Sequence, residues 1–237
     1  MLRPATLIIL LALPLAMGLP ARADEVAKAC VRATEAQASI TACTALLAED
    51  PKNVVALNHR GNGYRVAGNI EAAIKDHSEA IRLAPDFAVA FNSRCLDYTL
   101  KGDYAAAIAD CSQAIALNPK YAAAFFGRGI AKARKCDYEG AVADHTSAIG
   151  FNARYAKAYN GRAWAHFKAG RRAEAMADVS KALELSPDDA AALDTRGHIH
   201  EAMGKKPEAI ADYRKALAKE PGLAEAQEGL KRLKAKP

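Results

Sequence analysis

Apolar and polar residues follow one another along most of this chain with the period of a helix. The stretch 88–121, AVAFNSRCLDYTLKGDYAAAIADCSQAIALNPKY, shows the pattern most fully. Phe91, Cys95 and Tyr98 fall on one face of a helix running from Ala88 to Leu100. Gly102 stops it, as glycine does just past a helix end, and Asp103 is suited to cap a second helix. Tyr104, Ala107, Ile108, Cys111, Ala114, Ile115 and Leu117 make the apolar stripe of that second helix. Pro119 ends it, because proline has no N–H to donate and clashes with the preceding turn.

The same two-helix phrase recurs. Pro51, Pro85, Pro119, Pro187 and Pro221 are separated by 34 residues or twice 34, with Ala153 in the vacant term of the series. Full units stand at 54–87, 88–121, 122–155, 156–189 and 190–223. A large apolar residue holds the fourth place of each: Leu57, Phe91, Phe125, Tyr159 and Leu193. The eighth place is small (Gly61, Cys95, Gly129, Ala163, Gly197). Alanine holds the twentieth (Ala73, Ala107, Ala141, Ala175, Ala209) and the twenty-seventh (Ala80, Ala114, Ala148, Ala182, Ala216). Tyr64 and Tyr98 put an aromatic at the eleventh place, where Lys132, His166 and His200 depart.

In period and in these places the chain resembles the tetratricopeptide repeat family over all of 54–223. The resemblance implies an all-α fold, a right-handed α-solenoid of stacked antiparallel helix pairs. Small residues let two helices approach, so the eighth and twentieth places are expected to meet within a unit and the twenty-seventh to meet the next unit. No unit buries its stripe alone, and stability becomes a sum of neighbour terms. Residues 24–53 read as a shortened N-terminal cap. Residues 224–237 read as a C-terminal capping helix whose basic run, Lys231, Arg232, Lys234 and Lys236, is a solvated face.

A charged regularity accompanies the apolar one. Arg60, Arg94, Arg128, Arg162 and Arg196 hold the seventh place, and Asp76, Asp110, Asp144, Asp178 and Asp212 the twenty-third. Counted from the turn between units, Asp76 lies level with Arg94. The expected ladder is therefore Asp76–Arg94, Asp110–Arg128, Asp144–Arg162 and Asp178–Arg196. Pairing inside a unit, such as Arg60–Asp76, is the other arrangement. Pairs that recur evenly instead of converging point to register, not to catalysis.

Residues 1–23 have the layout of a secretory leader: Arg3, an apolar run from Thr6 to Met17, and Ala21-Arg22-Ala23 before a cut at Asp24. That implies a periplasmic or secreted protein, with no membrane span once the leader is removed. The formal net charge is +6, and two of the basic residues lie in the leader, so nucleic-acid binding is not implied. Cysteine use suits export. Cys30 and Cys43 fall where Cys95 and Cys111 fall in the second full unit, and a disulfide between them would staple the cap, contributing about 3 kcal/mol. Cys95 and Cys111 are either a second bridge or two buried thiols. Cys136 replaces the loop glycine and is left over, free or competing for Cys111.

No catalytic residues stand out, and neither a phosphate-binding loop nor a nucleophile elbow is present. His77 and His145, at the twenty-fourth place, read as core or half-buried histidines with a partner. His198, His200 and Glu201 lack a third ligand on one helix face, so no metal and no cofactor are expected. In the family, the first helix of each unit lines a concave groove. The corresponding places include Asn58, Asn62, Asn92, Leu96, Phe126, Ile130, Asn160, Trp164 and Phe167. The amides can donate to and accept from a peptide backbone, and Trp164, the only tryptophan, is of the type enriched in binding hot spots. The resemblance implies a non-enzymatic adaptor, a monomer that takes a peptide or protein segment in the groove. The alternatives are a self-assembling scaffold, or a metal or cofactor carrier using His198 and His200.

Overall fold

The computed structural model describes residues 28–31 and 35–236, and the structural statements here concern those residues. The leader and the proposed cut after Ala23 lie outside them. After a helical segment at 28–31 come α1 (Ala36–Glu49), α2 (Val54–Val66), α3 (Ile70–Leu83), α4 (Ala88–Lys101), α5 (Tyr104–Leu117) and α6 (Ala122–Arg134). Then come α7 (Tyr138–Phe151), α8 (Ala156–Lys168), α9 (Arg172–Leu185), α10 (Ala190–Ala202), α11 (Lys206–Lys219) and α12 (Ala224–Arg232). No strand occurs among the described residues.

Each helix packs on its sequence neighbours. Beyond that, α2 touches α4, α4 touches α6, α6 touches α8, α8 touches α10 and α10 touches α12. The second helices of successive pairs make no such contact with one another. First helices crowd together and second helices splay apart, so the array curves with α2, α4, α6, α8 and α10 on its inner side. Contacts reach no farther than the next pair, as expected of a quasi-one-dimensional solenoid.

Side-chain volume explains how the pairs close. The atoms that a side chain at the eighth-place glycines would meet first belong to the twenty-fourth place. A Cβ on Gly61 would stand 2.6 Å from His77, one on Gly129 2.7 Å from His145, and one on Gly197 2.6 Å from Tyr213. The same rings press on the sixth place of the next pair, where Gly161 faces His145 and Gly229 faces Tyr213. In the second full unit the ring is replaced by Cys111, which faces Gly127 and reaches Cys95. Val179, smaller than a ring, is matched by Ala163 and Thr195 at the same places. Volume is thus conserved across the seam, which close packing demands.

The charged ladder takes the arrangement inside the unit. Arg60–Asp76, Arg94–Asp110, Arg128–Asp144, Arg162–Asp178 and Arg196–Asp212 pair at 2.6–2.9 Å, each through two guanidinium nitrogens and both carboxylate oxygens. The expected Asp76–Arg94 register is not formed. Seventh and twenty-third places are nearly level across either turn, so sequence separation does not choose between them. The rotation of each helix about its axis does. The link to the preceding unit is made by a hydroxyl instead: the third nitrogens of Arg94, Arg128 and Arg162 donate to Ser78, Ser112 and Thr146 at 3.0–3.1 Å. The eleventh-place departures also serve the ladder. Where Tyr64 and Tyr98 lie under Arg60 and Arg94, Lys132 and His200 instead approach Asp144 and Asp212, at 2.8 and 3.0 Å.

Cys30 and Cys43 stand at disulfide distance, with Cα atoms 4.7 Å apart, and so do Cys95 and Cys111, at 5.4 Å. Both pairs are buried. Cys136 is exposed and unpaired, in a left-handed turn with φ 63° where the other intra-pair turns place Gly68, Gly102, Gly170 and Gly204. Among the described residues no helix is long and apolar enough to cross a membrane. At the C-terminal end, Ala226 and Leu230 of α12 are buried against the last pair. Arg232, expected on the solvated face, makes a two-pronged bond to Glu201, which also accepts from Tyr213 at 2.7 Å.

Candidate functional site

The inner face of the curved array carries the residues to which sequence pattern assigned partner contact, and they divide into two groups. Toward the N-terminal end, Asn58 and Asn92 are buried on α2 and α4. Asn62 is not available in the same way, because its Oδ1 accepts from Arg65 at 2.7 Å. Leu96 is half-buried on α4.

Toward the C-terminal end, Phe126 and Ile130 of α6 and Asn160 and Trp164 of α8 line one hollow of about 460 Å³, which Leu96 does not reach. Phe167 stands behind Trp164 with ring centroids 5.6 Å apart and packs into the core. His198 of α10 meets the edge of Trp164 at 5.6 Å. Arg134, Lys157, Asp189, Asp194, Glu225 and His145 also line the hollow. Arg134 and Lys157 are exposed on the side of α6 and α8, whereas Asp189, Asp194 and Glu225 come from α10 and α12 and their flanks. The hollow therefore has a basic side and an acidic side with aromatic rings between them.

Its polar atoms are incompletely satisfied. The side-chain carbonyl oxygens of Asn58, Asn92 and Asn160, all at the fifth place, are buried and have no hydrogen-bond partner. The fifth place of the last full unit is Asp194, only 8% exposed, and its Oδ1 is likewise unpartnered. Its Oδ2 lies 3.5 Å from His198 Nδ1. Burial pushes the Asp194 carboxyl up to about 6, with His198 acting in the opposite direction. Most buried polar atoms in proteins are paired, so a row of unpaired acceptors at one repeat place calls for a physical reason.

His145 lies on the floor of the hollow, reaching it from the second helix α7. It is 1% exposed, 5.5 Å from the Phe126 ring, and its Nδ1 has no partner. Burial lowers its pKa to about 4. This corrects the expectation of a partnered core histidine, which holds only for His77. Sequence pattern does not mark His145 as a groove residue, because the family's groove-facing places lie on first helices. The glycines at 129 and 161, which let the ring lie between two helices, were the available signal. His198 and His200 diverge: His198 Nδ1 lies 3.0 Å from the Asp194 carbonyl oxygen, and His200 Nδ1 turns to Asp212. Among the described residues no group of three or more His, Cys, Asp or Glu side chains could hold a metal ion.

A family model described as TPR repeat matches residues 96–135, and one described as tetratricopeptide repeat matches 156–189 and 190–223. The chain carries tetratricopeptide repeats. Repeats of this family generally mediate protein–protein interaction, and such proteins are generally non-enzymatic scaffolds. Among solved structures, a tetratricopeptide repeat protein from Parabacteroides merdae is 26% identical, with 91% of this chain and 86% of that one covered and a TM-score of 0.75. A thermophilic repeat protein of Thermus thermophilus is 21% identical over 76% of this chain and 98% of its own, with a TM-score of 0.68. YrrB, a repeat protein with an unusual peptide-binding site, is 18% identical over 80% of this chain and 97% of its own, with a TM-score of 0.56. The latter two likenesses concern the fold alone. No curated protein matches the chain.

Proposed function

We propose that this protein is a non-enzymatic adaptor that holds an extended segment of a protein partner along its concave face. The observation that carries the reading is the row of buried, unpartnered carbonyl oxygens on Asn58, Asn92 and Asn160. An unmade hydrogen bond at a buried polar atom costs about 1–3 kcal/mol. An extended peptide offers backbone N–H groups to such acceptors without regard to its side chains, and Phe126, Ile130 and Trp164 would supply the apolar anchor. Two cysteine pairs at disulfide distance suit an oxidising compartment. With the leader-like sequence at 1–23, they favour export to a bacterial periplasm or beyond, where the protein would act as a monomer.

Selection of random dodecapeptides displayed on phage against the purified protein tests the reading. Selected peptides should change Trp164 fluorescence saturably and lose most of their affinity for Asn160→Ala and Trp164→Ala. Peptides that bind both variants as well as the parent would place the contact elsewhere. A dimer or larger assembly by light scattering, with no peptide selected, would favour the self-assembling scaffold.

A further inference from the structure

We infer that the hollow beneath Trp164 receives a basic side chain, arginine or lysine, from the bound segment, with Asp194 as its counter-ion. This rests on the groove reading and names the chemistry of its anchor.

The fifth place supplies an amide in three of the full units and a carboxylate, Asp194, in the last. Asp194 as a residue is 8% exposed and lines the hollow, and its Oδ1 has no partner. Its only ion-pair contact is His198, at 3.5 Å through the other oxygen, and the His198 Nδ1 making it is shared with a backbone carbonyl. Glu225 reaches the same hollow from α12, and no lysine or arginine stands within ion-pair distance of either carboxylate among the described residues. A buried carboxylate is costly unless a cation and hydrogen bonds compensate it. The chain elsewhere compensates its buried aspartates fully: all five ladder carboxylates hold an arginine through both oxygens. Asp194 departs from that practice only where the hollow opens.

The walls suit the stem and head of such a side chain. A lysine or arginine covers apolar surface with its methylenes while its charge seeks a polar end. Phe126, Ile130 and Trp164 provide that surface, and the indole already accepts one cation, Lys168, whose Nζ lies 5.7 Å from the ring. Arg134 and Lys157 lie on the other side of the hollow, on α6 and at the start of α8, and are solvated at the rim, so they direct a cation toward α10. An aliphatic side chain of equal length would fill the volume and leave the Asp194 oxygen unpaired.

The test uses the whole protein and the same random dodecapeptide selection, run in parallel on the parent and on Asp194→Asn, an isosteric change. Peptides selected on the parent should share an arginine or lysine at one position, and the Asp194→Asn selection should lose that preference while keeping the apolar one. For one synthesised peptide, replacing its basic residue by norleucine should weaken binding to the parent about tenfold or more, the size of a charge-assisted bond, and to Asp194→Asn by less than about twofold. Thermal unfolding of the variant alongside the parent shows that its fold is intact. Groove-dependent peptides with no shared basic residue, or an equal norleucine loss in both proteins, would overturn this inference and leave the groove reading standing. Peptides indifferent to Trp164→Ala would overturn both.

Discussion

His77 and His145 occupy the same place in two units, both buried between a glycine of their own pair and a small residue of the next, yet their surroundings are opposite. His77 Nδ1 faces the Asp97 carboxylate at 2.5 Å, its Nε2 faces the Asn58 backbone carbonyl at 3.2 Å, and Arg65 closes the network on Asp97 at 3.1 Å. His145 has an unpartnered Nδ1 and a pKa lowered to about 4. The difference comes from one position in the next pair: Asp97 stands on α4 where Ala165 stands on α8. With a carboxylate there, the seam between units closes as a polar cluster. With alanine there, the ring stays neutral and becomes the floor of a hollow. The repeat thus supplies a common socket, and a single neighbour decides whether it becomes structural glue or groove lining.

Removing the carboxylate makes the first histidine resemble the second, and this should have the largest effect. Asp97→Ala leaves a guanidinium and an imidazole facing each other in a buried site, and should destabilise the fold by about 3–5 kcal/mol, read by urea unfolding. A loss under about 1 kcal/mol, the range of an ordinary surface pair, would mean that the two histidines are energetically alike after all.

The second histidine should reveal itself by pH. Its folded pKa, about 4, lies below the ordinary 6.5, so the native state binds fewer protons than the unfolded chain between these values. Stability attributable to it is full above pH 6.5 and is lost as pH falls toward 4. Asp194, raised to about 6, works the other way in part of that window, so the parent must be compared with a variant retaining it. His145→Phe should lose about 3 kcal/mol less than the parent between about pH 7 and pH 4, measured by urea unfolding at both. Identical pH dependence would show that the ring finds a partner.

Smaller effects probe the socket. A Cβ on Gly161 would stand 2.8 Å from His145, so Gly161→Ala should destabilise by about 1–3 kcal/mol through overpacking, despite alanine's better helix propensity. His145→Ala in the same chain should remove most of that cost if the ring is its source. The mildest change is Cys136→Gly. A cysteine held at φ 63° in an exposed turn costs about 1 kcal/mol relative to glycine, and thermal unfolding should show a gain of that order.

Much of this was legible in the chain, for reasons that residues make plain. Helix periodicity, the turn glycines, the recurring prolines and the alanines at two places allow one solution, a row of antiparallel pairs, because only small residues let helices approach at those heights. The Cys30–Cys43 pair came from the same alignment, which left Cys95 and Cys111 open between a bridge and two buried thiols. Asn58, Asn92 and Asn160 were marked by recurrence at one place, and they are the residues whose carbonyl oxygens are left without partners. Asn62 was marked on equal grounds, yet Arg65 occupies its oxygen.

What sequence alone determined about this protein is its period, its helices and which side chains share a face, since these depend on spacing along one chain. Tertiary structure decided which of two level partners each ladder aspartate takes and which histidine is closed off by a carboxylate. It also decided that a second-helix ring reaches the groove. Those outcomes turn on how far each helix is rotated against its neighbour, a quantity set by the summed packing of both sides and written in no single residue.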